Sequence, residues 1–138
     1  MRITLESDYA LRILTYLAGC EQVVDAQRIG ADTSVTPRFT LKILHKLVGS
    51  GYVSSQKGAK GGYRLNVPAE EITLKSVIEL IDGPIAIVRC LERAEGCALN
   101  RDKTACAYHH IFEGISMDVA RKLQAITIAD VRERPTTF

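Results

Sequence analysis

The chain has 138 residues, of which 46% are hydrophobic, so it is long enough to bury one core and too short for two large independent domains. Charged residues run through its first dozen positions, and no stretch approaches roughly eighteen uninterrupted apolar residues, so we expect neither a signal peptide nor a membrane span. The expected location is therefore the cytoplasm, without a membrane partner, and the net charge of +2 is informative only through its distribution along the chain.

The positive charge is concentrated in one window of the sequence. From Thr33 through Ala69 there is no aspartate or glutamate, so this window carries a formal charge of +6 and the rest of the chain −4. Its cationic residues are Arg38, Lys42, Lys46, Lys57, Lys60 and Arg64. An acid-free cationic stretch of this length predicts a surface that binds a polyanion.

Two helices are predicted in the first thirty or so residues. Apolar residues recur at helical spacing from Ala10 to Ala18, and Ser7 is the expected N-cap of this first helix. A short second helix is expected to begin after Asp25, a favoured N-cap residue, and to end near Asp32.

The third helix has stronger end signals. Thr36 is a favoured N-cap, Pro37 suits the first helical position, and the glycines at 49 and 51 end the helix. The residues expected on its buried face are Leu41, Leu44, Leu47 and Val48. Because only a few residues join the second and third helices, this pair is typical of a helix-turn-helix, whose second member enters the major groove of DNA.

A short hairpin is predicted directly after the third helix. Two β-prone runs, YVSSQK and YRLNV, flank the turn GAKGG, whose glycines permit a tight loop. Lys57 and Lys60 lie at the tip of this hairpin. A cationic hairpin next to a helix-turn-helix is typical of the wing of a winged-helix DNA-binding domain.

Two further helices and a loop follow the hairpin. Thr73 is the expected N-cap of a helix that ends at Gly83, and the polar stretch from Arg89 to Thr104 is expected to be a loop. A long helix is predicted from about 105 to 126, and a capping box at Thr127 opens a last short helix. The long helix is too long for a small core to cover, which favours pairing with its copy in a homodimer over packing back along its own domain.

These elements predict a mainly α fold, namely a winged helix-turn-helix with a long C-terminal dimerisation helix. The predicted divisions are residues 1–83 for the winged helix-turn-helix, 84–104 for a cysteine-bearing loop, and 105–138 for the dimerisation helix and C-terminal tail.

Three of the four cysteines lie close together in the sequence. Cys90, Cys97 and Cys106 fall within seventeen residues, and His109 follows Cys106 by three positions, which places the two on one helix face. Thiolates with one histidine can hold an iron–sulfur cluster or a structural zinc ion. A metal-free thiol switch uses the same residue types, and cysteines can also be chemically inert, so the residues alone leave four alternatives.

The order of motifs resembles the Rrf2 family of bacterial transcriptional regulators, in particular its iron–sulfur and nitric-oxide-sensing members of the IscR, NsrR and RirA type. The resemblance is carried by ESDYALRILTYLA, the helix-turn-helix, the wing YVSSQKGAKGGYRL and the helix TLKSVIELIDG, followed by three cysteines and a long helix. It implies a homodimeric regulator, most often a repressor, that binds a double-stranded DNA operator with the third helix in the major groove and the wing in the minor groove.

The same resemblance assigns expected DNA contacts to individual residues. Arg38, Phe39 and Lys42 occupy the face of the third helix that meets DNA, and Lys57 occupies the basic wing-tip position. Lys60 departs from the family pattern, in which glycine is common there, and adds charge. Some iron–sulfur members carry a glutamate on this helix that discriminates between classes of operator, and RFTLKIL has no acid.

The resemblance also implies a [2Fe–2S] or [4Fe–4S] cluster held by Cys90, Cys97 and Cys106. The fourth ligand would be His109 or, in a second arrangement, Asp8 of the partner subunit. The gaps between the cysteines hold six and eight residues, whereas the best-known members have five in each, so the type of cluster stays open.

A different functional class is also conceivable, namely a small iron–sulfur electron carrier or thiol oxidoreductase. It would leave the helix-turn-helix without a role, and the chain has no Cys-x-x-Cys pair. No nucleophile–base motif or phosphate-binding loop is present either, so no enzyme activity is predicted.

Overall fold

The computed structural model describes residues 3–92 and 103–134, and it is mainly helical. Its helices are α1 (Leu5–Ala18), α2 (Ala26–Thr33), α3 (Pro37–Gly49), α4 (Leu74–Asp82), α5 (Arg89–Glu92), α6 (Ala107–Gln124) and α7 (Ile128–Arg132). Two strands, β1 (Val53–Gln56) and β2 (Gly62–Leu65), form an antiparallel hairpin. Short 3-10 turns occur at Ala69–Glu71 and Lys103–Ala105. The predicted mainly α fold, with a helix-turn-helix followed by a hairpin and a long C-terminal helix, is thus confirmed.

Helix α1 lies at the centre of the core. Its apolar residues recur at i, i+3, i+4 and i+7 and are fully or almost fully buried: Ala10, Ile13, Leu14 and Leu17. They pack with buried residues of α2, α3 and β1, and each buried Leu or Ile contributes about 1.5–3 kcal/mol. Because α2 and α3 both pack against α1, the core holds the helix-turn-helix as one rigid piece.

The start of α1 differs from the prediction. Thr4 is the N-cap, and its hydroxyl accepts a hydrogen bond from the Ser7 amide at 3.4 Å. The predicted N-cap, Ser7, was therefore wrong; it lies in the first helical turn, and its hydroxyl donates to Asp82 Oδ2 at 2.8 Å. The backbone amide of Thr4 donates to the same oxygen at 3.0 Å, so Asp82 at the end of α4 fixes the beginning of α1.

Replacing Asp82 by asparagine is expected to lower the free energy of unfolding at neutral pH by about 1 kcal/mol, since this exposed carboxylate accepts several hydrogen bonds. Burial alone raises the pKa of Asp82, but hydrogen bonds from Thr4 and Ser7 outweigh it and hold the pKa below its ordinary value of 3.8. The carboxylate therefore stabilises the fold above that value, and the contribution is lost as the pH falls through the lower folded-state pKa.

Urea unfolding of both proteins across pH checks this prediction. The difference between wild type and Asp82→Asn should be constant from roughly pH 5 to 7 and should shrink below about pH 4. A difference that persists at lower pH would contradict it.

Strand β2 of the hairpin is joined, near the turn, to the segment before α2. Val24 and Tyr63 form an antiparallel bridge with two backbone hydrogen bonds of 3.0 and 2.8 Å. Gly62 permits this contact, because its φ is +153° and a Cβ there would lie only 2.4 Å from the Val24 carbonyl oxygen. The orientation of the hairpin is therefore tied to the helix-turn-helix.

The C-terminal helices return to the core. The capping box at Thr127 is present, and Ile128 is fully buried in the same core as α1. Thr73, the predicted N-cap of α4, accepts from the Ser76 amide at 3.1 Å and forms a bridge with Thr127. Helix α7 thus packs on α1, and α6 connects it to the cysteine-bearing region.

The predicted loop from Arg89 to Thr104 is partly wrong. The short helix α5 and the 3-10 turn Lys103–Ala105 lie at its two ends. The sequence did not predict them, because four or fewer residues are too few to show a helical repeat. Residues 93–102, which include Cys97, lie outside the described residues. Within the described parts of the chain, no helix is long and apolar enough to cross a membrane.

Candidate nucleic-acid interface and cysteine site

The turn between α2 and α3 is fixed by local geometry. Ser34 adopts a left-handed conformation with φ +56°, which reverses the chain after α2. Gly30 allows α2 and α3 to approach closely, since a Cβ there would lie 2.8 Å from Thr40 Oγ1. On the other side of α2, the Tyr16 hydroxyl donates to Asp32 at 2.6 Å, and burial together with this carboxylate raises the pKa of Tyr16 to about 12. The orientation of α3 is thus determined by contacts on both sides of α2.

Helix α3 has one buried and one exposed face. Its buried residues are Thr40, Ile43, Leu44 and Leu47. The exposed side presents what we call the α3 outer face, which consists of Arg38, Leu41, Lys42 and His45. Three of these four side chains are basic, so the outer face suits an anionic partner.

Leu41 does not lie on the buried face, as the sequence pattern predicted, and is 54% exposed. The reason is the helical repeat: the buried stripe begins at Thr40 and continues at i+3, i+4 and i+7, so a polar residue starts it. The same shift of phase places Leu41 and His45 beside Arg38. Neither residue was identified from sequence as an interface residue, although the spacing of Arg38, Leu41 and His45 at i, i+3 and i+7 is the signal that could have done so.

Phe39 is half-buried against α1. Its ring lies edge-on to Tyr9, with ring centroids 5.6 Å apart, and the Lys42 ammonium is 5.9 Å from the Phe39 ring centroid. The aromatic pair supports α3 from the side of the first helix.

Glu6 of α1 forms ion pairs with two lysines of α3. Lys42 Nζ contacts one carboxylate oxygen, and Lys46 Nζ lies 3.0 Å from the other. Hydrogen bonds from Lys42 and Lys46 lower the pKa of Glu6 below its ordinary value, so the carboxylate is charged at neutral pH. Glu6 was not identified from sequence, because no local pattern relates positions so far apart in the chain.

The wing, residues 53–65, presents its cations at an exposed tip. Lys57 and Lys60 are both exposed, and Gly58 adopts φ +107° between them. The Gly61 amide donates to the Gly58 carbonyl at 2.9 Å and closes the loop. Arg64 is exposed on β2, opposite Ser54. The wing therefore adds three exposed cations to those of the α3 outer face.

Two of the predicted ligands come together where α5 contacts α6. Cys90 Sγ lies 3.7 Å from His109 Nδ1, and both side chains are half-buried. Cys106 immediately precedes α6 and is also half-buried, one turn before His109. Cys97 lies outside the described residues, and within the described ranges no group of three potential metal ligands is assembled.

The remaining ligand candidates lie elsewhere. Asp8 forms an ion pair of 2.6 Å with Arg12 on α1. His110 lies next to His109, but its Nε2 contacts the Thr104 carbonyl at 2.8 Å. Cys20 is a free thiol near the end of α1, within hydrogen-bonding distance (3.3 Å) of the Tyr16 carbonyl.

Helix α6 carries an exposed apolar stripe. Tyr108, Ile111 and Ile115 are 73%, 56% and 43% exposed and follow one another at i, i+3 and i+7. Ser116 is the one buried residue of α6. Its hydroxyl accepts a hydrogen bond from the Ile87 amide at 3.1 Å and thereby fixes α6 to the segment before α5. The stripe is thus held in place but is not covered by the described part of the chain.

Comparisons with known proteins match nearly the whole chain. The model of the Rrf2 family, described as an iron-dependent transcriptional regulator, matches residues 3–134. Protein aau3 of Rhizobium meliloti (strain 1021) is 33% identical over 128 residues, which cover 86% of this chain and 83% of that protein. Two solved structures share the fold. CymR (YrzC), the global cysteine regulator of B. subtilis, has a TM-score of 0.80 at 22% identity and covers 99% of both chains. IscR of T. potens has a TM-score of 0.75 at 20% identity, over 95% of this chain and 85% of that one.

Proposed function

The chain belongs to the Rrf2 family and is therefore a DNA-binding transcriptional regulator rather than an enzyme, and from this premise we propose a homodimeric repressor that senses iron, redox state or nitric oxide. Its proposed partners are a double-stranded DNA operator and a second copy of the chain. It would act in the cytoplasm, where the DNA of a bacterium lies.

The observation that carries the DNA-binding part is the α3 outer face together with the wing. Arg38 lies close to the N-terminus of α3, where the recognition helix of a helix-turn-helix meets base edges. Its guanidinium can donate two hydrogen bonds to guanine, and Arg38 is therefore the residue of this face best suited to direct readout. Lys57 and Lys60 are suited to phosphate contacts, which supply affinity without sequence information.

Replacing Arg38 by alanine is expected to weaken binding to a DNA duplex obtained by in vitro selection by about 10- to 100-fold and to relax its sequence preference. Fluorescence anisotropy with the selected duplex and an unrelated one measures both effects. Arg132→Ala is the matched control, because Arg132 is an exposed arginine on α7. Equal losses on the two duplexes would assign Arg38 to the phosphate backbone instead, and no loss would remove it from the interface.

The proposed homodimer rests on the exposed stripe of α6. Tyr108, Ile111 and Ile115 form a continuous apolar surface on a helix that also packs against α4. Pairing of this stripe with its copy would remove it from water and relate two α3 helices by a two-fold axis. Operators with two half-sites require that symmetry.

The proposed sensor is an iron–sulfur cluster near the start of α6. Cys90 and His109 are adjacent, and Cys106 lies one helical turn before His109, so the described donors are soft sulfur and nitrogen ligands of the kind that such clusters take. Cys97 would complete the set, with His109 as the fourth ligand and Asp8 of the partner subunit as the alternative. When bound, the cluster supplies reversible redox and nitric-oxide chemistry, and the chain positions its ligands between α5 and α6.

A metal-free thiol switch is the second candidate, and one observation favours it. A thiol beside an imidazole, such as Cys90 beside His109, is a common arrangement for a reactive cysteine. Visible absorption, iron and acid-labile sulfide in protein purified without oxygen distinguish the alternatives. Colour with sulfide supports the cluster, colourless protein with zinc supports a structural metal, and metal-free protein whose DNA affinity responds to oxidants supports the thiol switch.

A further inference from the structure

We propose that Glu6 acts as an internal substitute for DNA phosphate: in the free protein it binds Lys42 and Lys46, and it must be displaced before these lysines can contact the DNA backbone. The inference rests on the proposed DNA-binding role of α3. It assigns to Glu6 the role of a competing anion that limits the affinity of the protein for DNA of any sequence.

The geometry of the contact resembles that of a bound phosphate. Lys42 and Lys46 lie one turn apart on α3, and each presents its ammonium to a different oxygen of the same carboxylate. The three side chains are 51%, 36% and 25% exposed for Lys42, Lys46 and Glu6 respectively. The lysines are therefore accessible enough to exchange one anionic partner for another.

The carboxylate is held in this position by its own helix. Glu6 lies in the first turn of α1, between Thr4 and Ser7, both of which are hydrogen-bonded to Asp82 at the end of α4. The backbone that carries Glu6 is thus anchored on one side while its side chain reaches α3 on the other. A preorganised anion competes more effectively than a mobile one, because little conformational entropy is lost when the contact forms.

The surroundings make Glu6 distinctive. The window from Thr33 to Ala69 contains no acid. Among the described residues, the ion pairs made by the cations of this window are those of Lys42 and Lys46 with Glu6. The fold therefore brings a negative charge from α1 to a surface whose own sequence excludes one, and this charge lies where DNA would approach.

The consequence for binding follows from exchange of ions. When phosphate replaces Glu6 as the partner of the two lysines, the freed carboxylate must take up cations from solution, which opposes the release of counterions from DNA. Glu6 should therefore weaken binding and flatten its salt dependence. Lysine–phosphate contacts carry no base information, so the effect should be the same for every sequence.

The test is Glu6→Gln, measured by anisotropy over a series of KCl concentrations with a duplex selected in vitro and an unrelated duplex. We expect binding to both duplexes to tighten by about three- to tenfold at low salt. The slope of log K against log salt should steepen by about one. Glu71→Gln is the matched control, because it removes the same charge from an exposed glutamate of the 3-10 turn.

A double-mutant cycle separates this role from a purely structural one. In a Lys42→Gln, Lys46→Gln background, Glu6→Gln should no longer tighten binding by this route, and Glu6→Asp in the wild-type background should retain the weak affinity of the parent. Thermal unfolding of each variant verifies that it is folded.

The possible results distinguish failure of this inference from failure of the proposed function. Weaker binding by Glu6→Gln would mean that Glu6 orients the lysines for DNA, and an unchanged affinity and salt slope would mean that the contact is only structural; either result overturns the inference. If selection with the wild-type protein yields no duplex that it binds, the proposed function is overturned as well, whereas normal wild-type binding without a Glu6 effect overturns the inference alone.

Discussion

Replacing Ile111 and Ile115 together by aspartate is expected to convert the protein into a monomer and to weaken operator binding by about 100-fold or more. The two side chains are 56% and 43% exposed in the single chain and lie on the apolar stripe of α6. Aspartates there would have to be buried without partners if two copies paired, which is costly for each charge. Because linking two DNA-binding heads raises avidity by about 10²- to 10⁴-fold, its loss should dominate the effect on affinity.

Sedimentation velocity measures the mass of the particle, and anisotropy measures its affinity for the selected duplex. Met117→Asp is the matched control, since Met117 is 57% exposed on the same helix but lies about half a turn away from Ile115 around the helix axis. The control should stay dimeric. If the doubly substituted protein stays dimeric as well, a surface other than the α6 stripe forms the interface.

The sequence was sufficient to predict those parts of the fold that depend on local signals. Asp25 caps α2, the capping box at Thr127 is present, and α3 begins at Pro37 after Thr36, although the Thr36 side chain makes no capping hydrogen bond. The reason is that a capping residue acts within three positions of itself, so its partner is visible in the sequence. The N-cap of α1 was misassigned because Thr4 and Ser7 are both suitable residues within one helical turn.

Contacts between distant segments could not be predicted in this way. The ion pairs of Glu6 join residues that are 36 and 40 positions apart. The hydrogen bonds from Ser7 and Thr4 to Asp82 join residues that are 75 and 78 positions apart. Such pairs depend on how α1 packs against α3 and α4, and that packing is set by the shape of the whole core. The error at Leu41 has a local cause instead: Leu44 and Leu47 are buried as predicted, but the buried stripe of α3 begins at the polar residue Thr40.

The cysteine site likewise combines a local relation that is visible in the sequence with a contact between distant segments that is not. Sequence spacing predicted Cys106 and His109 on one helix face. In the structure Cys106 is the N-cap of α6 and His109 lies in its first turn, whereas the adjacency of Cys90 and His109 comes from the contact of α5 with α6. The set of four ligands stays a prediction, since Cys97 lies outside the described residues.

Replacing Cys90 by alanine is expected to remove the visible absorption and the bound iron, and with them the response of DNA binding to nitric oxide or oxidants. Coupling between an effector and DNA typically changes affinity by about 5- to 150-fold, so we expect a difference of this size between untreated and treated wild-type protein and about none for the variant. Cys20→Ala is the matched control, because Cys20 lies near the end of α1, away from the contact of α5 with α6, and should leave colour, iron content and response unchanged.

His109→Ala distinguishes the two sensing mechanisms, because Cys90 is required by both. If His109 is the fourth ligand of a cluster, its loss should lower the iron content or shift the reduction potential, since a histidine ligand raises the potential relative to cysteine. If Cys90 acts as a metal-free thiol, the variant should contain no less iron than wild type and should respond to oxidants more slowly, because the imidazole beside the thiol has been removed. A variant that keeps its iron, its potential and its rate of response would show that the 3.7 Å contact between Cys90 and His109 serves packing alone. In that case Asp8 of the partner subunit becomes the fourth ligand to test.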